Sequence, residues 1–235
     1  MNIHVTELLA GAESARGTAV IIDVFRAFTV ECYLFEGGAS RILTVGSPDI
    51  AYRLKEQYPD AMLIGEKNGI PLPGFDGGNS PAQFAGMDVR GKMILHTTSA
   101  GTKGIAAAAG AHTDEILTGS LVNARAIADY LKKKNPEEVT LVAMGLRAKE
   151  SAEEDVLCAR YIESMLLGRP LPPEELAERM AELKYTSGKR FFDPERQDIM
   201  PQMDFTLSTR PDVFPFVIRA VPRGDYCEME RISAD

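Results

Sequence analysis

Hydrophobic positions along this chain fall into short β-branched runs that alternate with stretches of helical period. Ala19-Val20-Ile21-Ile22 is one such run, ending at Asp23, and predicts a buried strand. Phe25 to Phe35 follows as a helix, with Phe28, Cys32 and Phe35 near helical spacing and Gly37-Gly38 as its stop. Arg41–Val45 predicts a second strand, Pro48–Tyr58 a helix and Ala61–Ile64 a third strand. The alternation continues through a strand at Lys92–His96, an Ala-rich helix near Lys103–Ala109 and a strand at Glu115–Thr118. A helix over Leu121–Lys133, a strand over Val139–Met144 and an amphipathic helix over Glu153–Leu167 complete it. Such alternation predicts an α/β fold, a three-layer α/β/α arrangement with a mostly parallel or mixed central sheet.

From Gly168 onward the pattern changes. Pro170, Pro172 and Pro173 interrupt the chain, Glu174–Leu183 predicts a helix, and Phe191 to Phe205 is irregular and acidic. Phe214 to Pro222 reads as a closing edge strand, where proline is tolerated. No repeat, low-complexity tract or linker divides the chain. The expectation is one α/β domain over 1–235, with 168–235 as an irregular C-terminal extension of it.

The densest punctuation is at Gly65–Pro81, which holds five glycines, three prolines, Glu66, Asp76 and Asn79. Glycine and proline at this density predict a segment without regular structure. Phe75 and the neighbouring prolines argue for an ordered loop, because disordered linkers carry more Ser, Glu and Lys.

In open α/β sheets ligands bind beyond the carboxyl ends of the strands, and the polar clusters fall there. Asp23 and Arg26 follow the first strand and Glu66 the third; Thr97, Thr98, Ser99, Gly101 and Thr102 follow the next. Ser120 and Asn123 come after the fifth strand, and Gly145 with Arg147 after the sixth. A carboxylate with an arginine at a strand end suits a metal ligand or base beside an anion clamp, though Asp23 also reads as a helix cap. Thr97–Gly104, between strand and helix, has the hydroxyls and backbone N–H groups of a phosphate cradle, without any Walker A or dinucleotide glycine motif. Ser120 and Asn123 read the same way. His96 at its strand end is either structural or in reach of a ligand. Glu153-Glu154-Asp155 reads first as an acidic opening turn on a helix dipole, with Asp155 placed to face the site.

Composition narrows the partners. A formal charge of −8 over 235 residues argues against affinity for nucleic acid, but leaves room for a small anionic substrate held by a few arginines or a cation. No apolar run is long enough to span a membrane, and Met1–Val5 lacks the pattern of a signal peptide. Cys32, Cys158 and Cys227 form no C-x-x-C pair and suit reduced, cytoplasmic thiols.

Five stretches together resemble the 2-phosphosulfolactate phosphatase family, magnesium-dependent phosphatases first associated with coenzyme M biosynthesis. They are Ile22–Thr29, Gly65-Glu66 with Gly74–Pro81, Thr97–Thr102, Gly119–Ala124 and Glu154–Ala159, in the right order, with weaker similarity at Phe191–Pro194. Many members have Thr-Asn-Gly-Thr where this chain has Thr98-Ser99-Ala100-Gly101-Thr102, and an apolar residue where it has Gly77. The resemblance implies hydrolysis of a phosphate ester at C2 of a small carboxylic acid, the prototype being 2-phospho-3-sulfolactate. Mg²⁺ is expected on carboxylates drawn from Asp23, Glu66 and Asp76, with Arg26 beside them. Asn79, Thr97, Thr98, Ser99, Gly101, Thr102, Ser120 and Asn123 are expected to hold the substrate, and a homodimer is expected from the family type. Phospholactate and phosphoglycolate are alternative substrates, and a non-catalytic sensor of a phosphorylated metabolite is the alternative outside enzymes.

Overall fold

The computed structural model describes residues 1–67 and 69–234. Asn68, within the Gly65–Pro81 segment, lies outside the described residues. The chain builds a three-layer α/β fold on one ten-stranded mixed sheet. In chain order its elements begin with β1 (Asn2–Glu7), α1 (Leu8–Glu13), β2 (Thr18–Ile22), α2 (Ala27–Glu36), β3 (Arg41–Val45) and α3 (Pro48–Gln57). The middle of the chain supplies β4 (Met62–Lys67), β5 (Ile70–Pro71), α4 (Pro81–Phe84), β6 (Met93–Thr97), α5 (Gly101–Gly110) and β7 (Glu115–Gly119). Then come α6 (Ala124–Lys134), β8 (Glu138–Ala143), α7 (Glu153–Leu166), α8 (Pro173–Glu182), α9 (Gln202–Ser208), β9 (Phe216–Arg223) and β10 (Tyr226–Ser233).

The strand order is β1-β8-β2-β7-β9-β10-β3-β6-β4-β5. Four parallel strands form one half and β3, β6 and β4 a second parallel group, joined by the antiparallel hairpin β9–β10. The hairpin reverses direction three times, so the two groups run in opposite senses along the ladder. Its pairing to either side is thin, with two residue pairs between β7 and β9 and three between β10 and β3.

Alternation along β2 explains the layers. Every residue of β2 is buried, with Ile21 in one core and Val20 and Ile22 in another. The first core gathers Phe28, Val30 and Leu34 of α2, Ile105 of α5, Ile21 and Ile116 from the first half of the sheet, Ile42, Ile64 and Ile94 from the second, and Ile218 from the hairpin. The opposite face of the first group packs on α6 and α7 through Ile127, Leu131, Cys158 and Ile162. A smaller cluster seats α3 on Leu43, Leu63 and Leu95. A single core shared by strands from both halves requires the sheet to turn sharply around α2 and α5. Strand twist supplies such a turn most readily where the ladder is thinnest.

Two expectations are corrected here. The C-terminal strand is central rather than an edge: β9 lies between β7 and β10, and β10 continues the sheet to β3. Pro222 is tolerated because β7 pairs only with Ile218 and Arg219, so its missing N–H falls beyond that contact. The second correction is Gly65–Lys67, which is strand rather than loop. β4 runs through Gly65 at φ +138°, a conformation that side chains rarely adopt. A Cβ at Gly65 would sit 2.3 Å from the Thr97 carbonyl oxygen, so only glycine lets β4 lie against β6 here. Glu66 and Lys67 then pair with Ile70 and Pro71.

Candidate active site

One hollow of about 260 Å³, partly open to solvent, collects the loops that follow β2, β4, β6 and β8, together with side chains from residues 190–200. Its charged lining is balanced. Asp23, Glu66, Glu154 and Asp155 face it, and so do Arg26, Arg147, Arg190 and Arg196.

Asp23 sits directly beyond β2, where its Oδ1 accepts a long hydrogen bond from the Ala27 N–H at 3.4 Å. Burial pushes its carboxyl up from 3.8 to about 6, with Glu66 and Glu154 adding repulsion, while the Ala27 N–H and Arg190 oppose the rise. Burial likewise raises Glu154, the second residue of α7, against the nearby Arg190 guanidinium. Glu154 Oε1 lies 3.8 Å from Arg190 Nη2, and its buried Oε2 has no hydrogen-bond partner among the described residues. Arg190 stacks between Phe25 and Phe191 at 5.9 and 5.3 Å, and this burial pulls its guanidinium below the usual range. Asp155 has a different task. Its Oδ1 accepts from the Val24 N–H and its Oδ2 from the Gly145 N–H, both at 2.8 Å, which clamps the ends of β2 and β8 together. Burial, Glu154 and Asp23 push its carboxyl up, against those two donors.

Arg26 is held rather than free. Its Nη1 donates to the Ile199 carbonyl at 2.9 Å and to Asp204 Oδ2 at 2.6 Å, in a pair that is almost completely buried. Asp204 Oδ1 also accepts from the Ser80 hydroxyl at 2.6 Å and the Ala82 N–H at 2.9 Å. This carboxylate therefore ties α9, the end of the glycine-rich segment and Arg26 into one wall. Arg147, in a left-handed turn at φ +57°, and Arg196 have no side-chain partner among the described residues. Both guanidinium groups are available to a ligand.

Glu66 faces the hollow with its oxygens engaged by Ser99 Oγ at 2.9 Å and by the Gly69 N–H. Thr98, Ser99 and Ala100 line the hollow at the N-terminal end of α5. Thr98 Oγ1 accepts from the Thr102 N–H at 3.2 Å, and Thr102 Oγ1 returns a bond to the Thr98 carbonyl at 2.9 Å. Asn79 lines the hollow as well, with Oδ1 facing His96 Nε2 at 3.1 Å.

Of the residues picked out from the sequence, Asp23, Arg26, Glu66, Asn79, Thr98 and Ser99 come together around this hollow. Others do not line it. Asp76 is exposed, its Oδ2 accepting from the Leu63 N–H at 2.8 Å while its own N–H donates to the Leu63 carbonyl, which closes the glycine-rich segment onto β4. Thr97 and Thr102 are buried just outside it. Gly101 faces the core, where a Cβ would meet the Phe28 ring at 2.6 Å. Ser120 and Asn123 form a capping box, with the Ser120 N–H donating to Asn123 Oδ1 at 3.0 Å and Ser120 Oγ 2.6 Å from Thr29 Oγ1.

Sequence reasoning missed Arg190, Arg196 and Asp204. They lie in a stretch with no periodicity, and the short Phe191–Pro194 similarity was the one signal nearby. Glu154 was assigned to the helix dipole, which its position at the start of α7 also satisfies.

A family model described as 2-phosphosulpholactate phosphatase matches residues 3–193. A protein of Bacillus subtilis (strain 168) named Probable 2-phosphosulfolactate phosphatase is 34% identical over 217 residues, 91% of each chain. One of Carboxydothermus hydrogenoformans with the same name is 38% identical over 190 residues, 74% of this chain and 76% of the relative. A third, from Deinococcus radiodurans, is 37% identical over 150 residues, 63% of this chain and 61% of the relative. Matched by the family model over most of its length and by a relative almost end to end, the chain belongs to the 2-phosphosulfolactate phosphatase family.

Proposed function

We propose that this phosphatase hydrolyses, with Mg²⁺, the phosphate ester of a small 2-phospho carboxylic acid, with 2-phospho-3-sulfolactate as the prototype substrate. The observation that carries this reading is the charge arrangement of one hollow. Arg147 and Arg196 have no partner among the described residues, Arg26 and Arg190 stand beside them, and the first turn of α5 opens onto the same space. Guanidinium groups and a helix N-terminus are the groups that hold phosphoryl and second acid groups.

Among the described residues no cluster of three or more His, Cys, Asp or Glu side chains could cage a metal alone. Mg²⁺ is commonly bound by one or two carboxylates, with substrate phosphate and water completing its shell. Asp23 and Glu66 fit that use: both face the hollow, and they repel one another across it, a repulsion that a cation would reverse. Asp76 does not fit, being outside the hollow and bonded to the backbone. Bound between Asp23 and Glu66, the cation would act as a Lewis acid that offsets charge on the phosphoryl oxygens.

The chain's own groups supply the rest. Arg26 and Arg190 orient the phosphoryl group, while Arg147 and Arg196 take the carboxylate or sulfonate of the substrate. Glu154 in its carboxylate form, made more basic by burial, accepts the proton of the attacking water at Oε2. Direct attack by water is favoured over a phosphorylated Asp23. The three cysteines are free, which accords with a cytoplasmic setting, and no helix among the described residues is long and apolar enough to cross a membrane.

The test is phosphate release from a panel of phosphoacids with Mg²⁺ or with EDTA, for the native chain and Glu154→Gln. Release is expected only with Mg²⁺, with Glu154→Gln losing kcat while KM stays near the native value. Turnover that ignores EDTA removes the metal from this reading. Binding without turnover of any phosphoester favours the sensor.

A further inference from the structure

A buried polar chain leads from the core to the hollow. Glu31 of α2, fully buried, accepts from the Thr44 hydroxyl at 2.6 Å and faces His96 Nδ1 at 2.9 Å, both through Oε1. His96, also fully buried, presents Nε2 to Asn79 Oδ1 at 3.1 Å. Asn79 is the last member, and it lines the hollow. Glu31 Oε2 is buried without a hydrogen-bond partner among the described residues, so Oε1 carries the contacts of this carboxyl.

Both ring nitrogens of His96 thus face oxygen acceptors. A ring protonated at Nε2 donates to Asn79 Oδ1 and holds the carbonyl end of the amide inward. The amide has one acceptor end and one donor end. With its oxygen toward His96, Asn79 turns its NH2 toward the hollow, where phosphoryl oxygens need donors. A neutral ring accepting at Nε2 would hold the amide the other way round and present a carbonyl to an anion.

We propose that Glu31 and His96 are positioning residues whose buried contact fixes the Asn79 amide as a donor to the phosphoryl group. This rests on the phosphatase reading above, and the experiment separates the two. The kinetic arm compares kcat/KM for Glu31→Gln, Asn79→Ala and the double variant. Removing a donor to a charged oxygen is expected to lower kcat/KM about tenfold or more in each single variant. Because Glu31 acts through Asn79, Glu31→Gln is expected to change little further in the Asn79→Ala background. Equal losses in both backgrounds, or no loss from Glu31→Gln alone, overturn the proposal.

The second arm needs neither a variant nor turnover. In ¹⁵N spectra of the native protein, His96 Nε2 should carry a proton, and inorganic phosphate should shift the Asn79 NH2 resonances. A ring without a proton on Nε2, or NH2 resonances unmoved by saturating phosphate, overturns the proposal even if catalysis is established. Failure of the native protein to hydrolyse any phosphoester would refute the preceding section and leave this arm to decide the positioning of Asn79.

Discussion

Asp23→Asn should abolish activity and at the same time make the metal-free protein more stable at neutral pH. The Asp23 carboxyl is buried and pushed up to about 6 from 3.8, chiefly by desolvation, with Glu66 and Glu154 adding to it. The native state therefore binds more protons than the unfolded chain between those two values, and stability falls as pH rises through that window. Below pH 3.8 the native state bears none of this cost. Above pH 6 the full cost is present, and at about 1.4 kcal/mol per tenfold change in proton affinity it comes to ~3 kcal/mol. Asparagine keeps the shape and the acceptor for the Ala27 N–H but carries no charge. In urea unfolding with EDTA at pH 8, Asp23→Asn should therefore be more stable by about 2–3 kcal/mol. At pH 3.5 the two proteins should unfold at the same midpoint. Mg²⁺ should stabilise the native chain at pH 8 but not the variant, because the cation removes the repulsion that the substitution has already removed. Equal stability at pH 8, or the same gain at pH 3.5, would refute the reasoning. A site that holds an uncompensated charge for its ligand gives up stability to do so.

Asp204→Ala should cost about 3–5 kcal/mol in the same unfolding assay, since it strands the buried Arg26 cation and leaves the Ser80 hydroxyl and Ala82 N–H without their acceptor. Adding Arg26→Met to it should recover part of that loss, and no recovery would mean that the ion pair is not what holds this wall. Ser120→Ala should cost about 1 kcal/mol through the lost cap while kcat and KM stay at native values. A raised KM without a stability loss would return Ser120 to the substrate.

The alternation of β-branched runs and helical stretches was enough to name the α/β class and to set most strand positions within a residue or two. The run at β2 shows why: a strand buried on both faces is apolar throughout, a signal that survives without any neighbour. β9 was misread for the matching reason. Proline marks an edge only if the neighbouring strand pairs at that residue, and whether β7 reaches Pro222 is a property of the sheet. β1 and β10 escaped notice because their burial alternates or is partial, leaving no continuous run.

The candidate site divides along the same line. Asp23, Arg26, Glu66, Asn79, Thr98 and Ser99 were legible because strand-end polar residues in an α/β chain share one rim. Ser120 and Asn123 have the same local signature, yet they spend it on each other and on Thr29, since a hydroxyl that caps a turn and one that binds an anion look alike in a sequence. Asp76 sits in the same glycine-rich segment as Glu66, but its hydrogen bonds to Leu63 hold it on the outer side. Arg190, Arg196 and Asp204 reach the hollow from a stretch without period, and only the path of the chain over the sheet brings them there. The sequence by itself determined the layers, the family and the residue types of the site, because these depend on local pattern and order. Tertiary structure decided which of those residues meet, because two groups of strands running in opposite senses share one hollow only after the sheet turns around its core.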